Sequence, residues 1–119
     1  MVMASQDSEE MDLKKVELWN VDESLESYGA NRMARSQVEN KYKGLIKFLN
    51  ENGMFKKKRR VVDASGKLLV RQVFVGDLTD EGFRFVKEVL KPWLRSKTAA
   101  ENPANTAILE KYLKKVRGT

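Results

Sequence analysis

The stretch LNENGMFKKKRRVVDASGKLLVRQVFVGDLTDEG, residues 49–82, decides the fold because three structural signals follow one another in it. Gly53 is the predicted left-handed stop of a preceding helix, residues 63–66 have the composition of a β-turn, and residues 78–82 open another helix. Five consecutive cations, residues 56–60, stand where the predicted hairpin begins. They either bind a polyanion or keep an exposed strand edge from pairing with another chain.

Upstream of this stretch, residues 36–52 predict an amphipathic helix. Its apolar positions recur at helical spacing; they are Val38, Tyr42, Leu45, Ile46 and Leu49. Ser36 and Glu39 form the capping box S-x-x-E at the predicted start. The basic residues of the opposite face are Lys41, Lys43 and Lys47. The dense apolar cluster at residues 45–49 is typical of a buried helix.

Downstream, residues 60–63 and 67–75 are the predicted arms of an antiparallel hairpin. Both arms are rich in Val and Leu. Asp63 at the first position and Gly66 at the last suit a type I turn between them. Apolar residues occur on both sides of the second arm, so the sequence leaves open which side faces the core.

The C-terminal part of the chain predicts two helical segments. Thr79 is the expected N-cap of the first, whose apolar stripe runs over residues 83–94. Pro92 lies within that stripe and is expected to kink or end the helix near Lys91. A final helix is predicted from about Thr106 to Gly118; its apolar residues are Ile108, Leu109, Tyr112, Leu113 and Val116.

The N-terminal part is less regular. Residues 1–11 are acidic and polar, which predicts a disordered arm, and residues 12–119 are expected to form one domain. Within residues 12–30 the pattern fits either a short strand or a helical turn, with Asp22 or Ser24 as a possible N-cap and Trp19 as a buried anchor. The fold class predicted for the whole is α+β: a small winged-helix-like domain, mainly helical, with a two- or three-stranded antiparallel β-hairpin and C-terminal helices.

Charge is distributed unevenly along the chain. The formal net charge is +6, but residues 1–30 carry an excess of six negative charges and residues 31–75 an excess of nine positive charges. Such asymmetry suggests a polyanionic partner for the basic segment. An ordinary solvated surface on which lysines happen to cluster explains the composition equally well.

The composition argues against an enzyme. The chain contains no Cys and no His, which removes disulfides, thiolate chemistry, the commonest general base and the commonest zinc ligand. No glycine-rich phosphate loop is present, and the carboxylates at Asp77, Asp80 and Glu81 are explained by the start of a helix, where negative charge is favourable. We therefore predict a non-enzyme without cofactor or metal. No signal peptide or membrane span is visible, so a cytoplasmic location is expected.

The order of helix, glycine stop, basic hairpin and L-T-D-E-G helix start resembles the C-terminal half of winged-helix bacterial regulators of the MarR and PadR type. The matching residues are Leu49 with Gly53 to Phe55, the hairpin to Val75, and Leu78 to Gly82, within about residues 36–90. The resemblance implies that a recognition helix enters the major groove while the hairpin, the wing, contacts the flanking backbone or minor groove.

Two groups of residues are the expected nucleic-acid contacts on this interpretation. The helix start would meet base edges or phosphates through Ser36, Gln37, Asn40, Lys41 and Lys43. The wing would hold phosphates through Lys56, Lys57, Lys58, Arg59, Arg60 and Lys67. The alternatives stay open: the helix lysines form a solvated face, the basic run guards a strand edge, and Arg71 pairs with a nearby carboxylate.

The function predicted from the sequence is binding to double-stranded DNA, sequence-specific or architectural, by a small bacterial or phage transcriptional regulator. The alternative is a protein-binding module, such as an immunity, anti-defence or adaptor protein, because a winged-helix-like fold does not itself require DNA. The two C-terminal apolar stripes either form a homodimer interface or close the core of a monomer.

Overall fold

The structure, a computed structural model, describes residues 15–118. Within this range the chain is an α+β protein with a two-stranded antiparallel sheet and five α-helices, which confirms the predicted class. The elements are β1 (Glu17–Asn20), α1 (Val21–Glu26), α2 (Arg32–Glu51), β2 (Gln72–Phe74), α3 (Asp80–Arg95), α4 (Lys97–Glu101) and α5 (Ala107–Arg117). Their order is consistent with a small winged-helix-like domain. The predicted disordered arm, residues 1–11, lies outside the described residues.

The sheet joins two distant parts of the chain. β1 pairs antiparallel with β2, and Trp19 lies opposite Val73 in the register. Both side chains are buried, so this pair anchors the sheet to the core. The ambiguous N-terminal segment is therefore a strand followed by a helix. The N-cap of α1 is Asn20, whose side chain accepts a hydrogen bond from the Glu23 N–H at 3.1 Å, rather than Asp22 or Ser24.

The predicted hairpin is present only around its turn. The Gly66 N–H donates to the Asp63 carbonyl at 3.0 Å, as expected for the β-turn, and Val62 and Leu68 form a single β-bridge. The second arm was predicted to run over residues 67–75, but its paired part is β2. β2 leaves the first arm to pair with β1. Val73 is fully buried beside Trp19 in this pairing, which favours it over continued pairing along the hairpin.

Helix α2 begins four residues earlier than predicted. Its N-cap is Asn31, whose side chain accepts from the Ala34 N–H at 3.1 Å, and Ser36 lies exposed inside the helix. The chain turn before α2 is held by Arg35, which donates to the carbonyls of Leu25 and Gly29 at 3.0 and 3.2 Å. This tertiary contact favours Asn31 as the helix start. The C-terminal stop is as predicted, because Gly53 has a φ of +68°.

Helix α3 begins as predicted, and one of the two outcomes expected at Pro92, an end of the helix, does not occur. Thr79 is the N-cap, its hydroxyl accepting from the Gly82 N–H at 3.1 Å, as expected. Pro92 does not end the helix, which continues to Arg95. The turn after Pro92 is held from outside, because the fully buried Trp93 donates its indole N–H to the Lys41 carbonyl at 2.7 Å.

The core lies between α2 and the elements packed around it. Phe48 of α2 stacks on Phe85 of α3 with ring centroids 5.5 Å apart. Leu109 and Leu113 of α5 are buried where this helix packs on α3. The apolar stripes of α3 and α5 thus close the core of one chain, which is the alternative to their use in a dimer. At one close approach, a Cβ on Gly82 would lie 2.6 Å from the Met54 carbonyl oxygen.

Candidate nucleic-acid interface

The basic run, residues 56–60, is held at both ends by the fold. The Lys56 N–H donates to the Asp77 carbonyl at 2.9 Å. At the other end the side-chain amide of Asn50 bonds both backbone groups of Arg59: its oxygen accepts from the N–H at 2.8 Å, and its nitrogen donates to the carbonyl at 2.9 Å. The side chain of Asn50 therefore satisfies both backbone groups of Arg59, as the backbone of a neighbouring β-strand would. We call residues 56–60 the basic loop.

Arg59 belongs to the scaffold of this loop. Its guanidinium donates to the Asp77 carboxylate at 3.1 Å and lies 5.3 Å from the centroid of the Phe55 ring. The second carboxylate oxygen of Asp77 accepts from the Phe74 N–H at 2.9 Å, so Asp77 ties the loop to the end of β2. The remaining cations of the loop are exposed: Lys56, Lys57, Lys58 and Arg60.

The turn at residues 63–66 brings the chain back beside the middle of α2. The Lys43 ammonium donates to the Gly66 carbonyl at 2.6 Å. The carboxylate of Asp63 accepts from the backbone N–H groups of Ser65 and Lys67, both at 2.9 Å, which keeps the turn rigid. Lys67 itself is exposed. The basic loop and the turn thus lie along one side of α2, near its C-terminal end and its middle.

The predicted helix contacts do not share one face. Successive residues of an α-helix are about 100° apart, so Lys43 lies nearly opposite Lys41. Lys41 links two helices: its ammonium donates to the Leu94 carbonyl at 2.6 Å and its own carbonyl accepts from Trp93. Lys41 was predicted to contact nucleic acid, but these bonds direct it toward α3. Gln37, one turn before Lys41, is exposed on that same side.

The outer face of α2 collects the other candidates. By helical spacing this face holds Arg32, Ser36, Asn40, Lys43 and Lys47, which are exposed or half-exposed. Arg32 was missed because the helix was predicted to start at Ser36, although Asn31 was a visible capping signal. Lys47 was assigned to the basic side of the helix and not to the contact set. The structure therefore groups three predicted residues, Ser36, Asn40 and Lys43, with two additional cations.

An open cleft runs beside this face. It has a volume of about 370 Å³ and lies between α2 and the connector that follows α4. Asn40, Lys43 and Lys47 line one wall, and Pro103 and Thr106 line the other. The connector sits close to the helix, since a Cβ on Gly44 would lie 3.0 Å from the Pro103 Cβ. The cleft borders the candidate interface without separating its cations from solvent.

Arg71 pairs with carboxylates within the fold, as the alternative interpretation of the sequence proposed. Its guanidinium bonds Asp22 and Glu39, each at 2.6 Å, and so joins α1 and α2 to the residue that precedes β2. The hydrogen bond from Arg71 lowers the pKa of the Asp22 carboxyl below its ordinary value of 3.8. Arg71 is consequently occupied within the fold.

In comparisons with models of protein families, with curated proteins and with solved structures, nothing matched this chain. No helix among residues 15–118 combines the length and the apolar character needed to cross a membrane.

Proposed function

We propose that this protein is a non-enzymatic DNA-binding protein that holds duplex DNA between the outer face of α2 and the basic loop. It would be a small bacterial or phage regulator of the winged-helix kind suggested by its sequence. The observation that carries the proposal is the double anchoring of the basic loop by Asn50 and Asp77. An anchored loop presents its lysines at little entropic cost, which favours binding through preorganised contacts.

The free cations support a contact with phosphates. Lys57 and Lys58 are exposed between the two anchored ends of the loop. The ion pairs formed by residues 15–118 include neither of them, nor Lys47 or Lys67. Each cation that neutralises a phosphate releases a condensed counterion, so such contacts add affinity that falls steeply with salt.

The N-terminal half of α2 is the part suited to reading bases. Arg32, Ser36 and Asn40 project from its exposed side, and these side chains carry hydrogen-bond donors and acceptors. In helix-turn-helix proteins the N-terminal residues of the second helix meet base edges in the major groove. Here α1, the turn at residues 27–31 and α2 have that order.

A salt titration with matched variants tests the proposal. We expect the wild-type chain to bind a random duplex with micromolar affinity in about 50 mM salt. The double variant K57A/K58A should reduce the slope of log K against log salt by about 0.9 for each phosphate that the loop no longer neutralises. The control K111A/K114A removes the same charge from exposed positions of α5 and should keep a slope close to that of the wild type.

Two results would count against the proposal. A wild-type chain that binds no duplex at low salt would favour the protein-binding alternative. Equal slopes for K57A/K58A and K111A/K114A would mean that only net charge matters, and the basic loop would then be a solvated edge. The melting temperature of each variant should stay close to that of the wild type, because exposed substitutions cost less than about 0.5 kcal/mol.

A further inference from the structure

A second basic surface lies on α3, outside the candidate interface. The helix buries Gly82, Phe85, Val89 and Trp93 against the core. Two residues beyond each of these, at about 200° around the helix, stand its four exposed cations: Arg84, Lys87, Lys91 and Arg95. We call these four residues the α3 stripe. Glu88, two residues beyond the buried Val86, is the exposed carboxylate beside them. Helical geometry makes the stripe about 16 Å long, a distance that spans roughly five phosphates of one DNA strand.

Within residues 15–118 no member of the stripe forms an ion pair, although the pKa of the Glu81 carboxyl, lowered mainly by the hydrogen bond from Arg117, is lowered further by the charge of nearby Arg84. Two carboxylates on α3, Glu81 and Glu88, are bound by Arg117 and Lys115 of α5. The third, Asp80, stands in the first turn of the helix, where the backbone N–H groups favour negative charge. Cations of α5 thus neutralise the two glutamates at one edge of α3, and the outer side of α3 carries mainly positive charge.

The stripe and the candidate interface face in opposite directions. The side of α2 that faces α3 carries Lys41 and Phe48. Lys41 contacts Trp93, and Phe48 contacts Phe85. The outer face of α2, at Lys43 and Lys47, is roughly on the other side of its axis. The α3 stripe in turn points away from the core and therefore away from α2. One duplex held by the basic loop and the outer face of α2 would not reach the stripe.

The chemistry of the stripe favours a nucleic acid over a membrane. A helix that lies on a lipid surface inserts an apolar face into the headgroup region. Most of the apolar face of α3 is already buried in the core, and its other apolar residues, Phe83, Leu90 and Leu94, are half-buried. The large hydrophobic residues exposed among residues 15–118 are Val16, Tyr28, Met33 and Leu69, none of which lies on α3. Recognition at the stripe would depend on charge alone, which suits the phosphates of a duplex.

We infer that the α3 stripe is a second DNA-binding surface and that one chain bridges two duplex segments, one on each side. This inference rests on the proposed function, since the first duplex is the one held by the basic loop. Bridging would make the protein an architectural one that brings separate DNA segments together. The two surfaces would differ, because the stripe lies on one continuous helix and has no element that reads bases.

The test uses two duplexes, one attached to beads and one free and fluorescent. The wild-type chain should capture the fluorescent duplex on the beads. The variant K87A/K91A should lose this capture down to the level without protein, while its affinity for a single short duplex stays within about twofold of wild type. K111A/K114A, with the same change of charge, should retain both activities. A charge-reversal variant, K87E/K91E, should give the same result as K87A/K91A.

The outcomes separate the two proposals. No binding of wild type to a single duplex overturns the proposed function. Binding of a single duplex without capture of the second overturns the bridging inference alone. Capture that persists in K87A/K91A and K87E/K91E also overturns it, because bridging would then come from association of two chains. Light scattering of the wild type identifies that case by a mass above the 13.7 kDa of one chain.

Discussion

The two halves of α2 differ in what surrounds them. The C-terminal half, residues 42–51, contributes all of the helix's buried side chains: Tyr42, Leu45, Ile46, Phe48 and Leu49. In the N-terminal half, residues 32–41, every side chain is exposed or only half-buried, and Met33 is 73% exposed. One continuous helix therefore combines a core segment with a segment that projects toward solvent. The comparison teaches that burial and exposure can be separated along a single element.

The physical cause is the distribution of neighbours along the helix. α3, the basic loop and the hairpin turn pack beside the C-terminal half and the middle. The N-terminal half contacts the short helix α1 and the Arg71 guanidinium, through Arg35 and Glu39. Its last residue, Lys41, bonds α3. These contacts are polar and position the helix start without covering its outer side. That side remains available to a partner.

The largest effect expected from this difference is the loss of unfolding free energy when an apolar residue of each half of α2 is truncated. Leu45→Ala should lower the free energy of unfolding by about 2–5 kcal/mol, because Leu45 is fully buried and its truncation leaves a cavity. Met33→Ala, in the other half, should change it by less than about 0.5 kcal/mol. Urea denaturation of both variants measures the two values. Similar losses for the two would mean that the N-terminal half is also part of the core.

An intermediate effect is expected for the two asparagines of α2. Asn50→Ala removes both hydrogen bonds to the Arg59 backbone and should cost about 1–3 kcal/mol of unfolding free energy. Asn40→Ala, half-exposed in the N-terminal half, should cost less than about 0.5 kcal/mol. Amide hydrogen exchange of residues 57–60 should also accelerate in the first variant only. Unchanged exchange in Asn50→Ala would show that Asp77 alone holds the basic loop.

The smallest effect concerns the ion pair that ties α1 to the residue that precedes β2. Arg71 lowers the pKa of Asp22, so the pair stabilises the fold at a pH above the ordinary carboxyl value and loses this contribution as pH falls through the lowered pKa. Asp22 is largely exposed, and Asp22→Asn should therefore cost under about 1 kcal/mol at pH 7.

Urea denaturation at two pH values measures that contribution. The difference between Asp22→Asn and wild type should disappear well below pH 3.8, where the carboxyl is protonated in both folded and unfolded chains. Glu26→Gln, exposed at the end of α1 and without an ion pair among the described residues, serves as the control. A difference for Asp22→Asn that does not change with pH would argue against the ion pair with Arg71 as its cause.

Local chemistry made several features predictable. Gly53 adopts a left-handed conformation, Thr79 caps α3, and Asp63 with Gly66 closes a turn, because each of these depends on residues adjacent in sequence. The burial of Leu45, Ile46 and Leu49 followed from apolar spacing in the same way. The α+β class followed from these elements taken together.

Other features depended on distant residues. The start of α2 at Asn31 needs Arg35 to bond the carbonyls of Leu25 and Gly29. The continuation of α3 through Pro92 needs the contact between Trp93 and Lys41. At the start of α2 one local cap, Asn31, is used in place of another, Ser36, and the Arg35 bonds accompany it. At Pro92 a local helix-ending signal does not end the helix, and a tertiary hydrogen bond lies beside it.

The features of the candidate site likewise fall into those that the sequence predicted and those that depended on folding. The sequence by itself determined that the middle of the chain is strongly basic and that its cations cluster at residues 56–60, since charge is a property of composition. Only the tertiary structure decided which cations are free, because Lys41, Lys43 and Arg59 bond groups brought near by folding. It alone also set the α3 stripe apart, because Glu81 and Glu88 are bound by α5, a helix that follows them only after α4 and a connector.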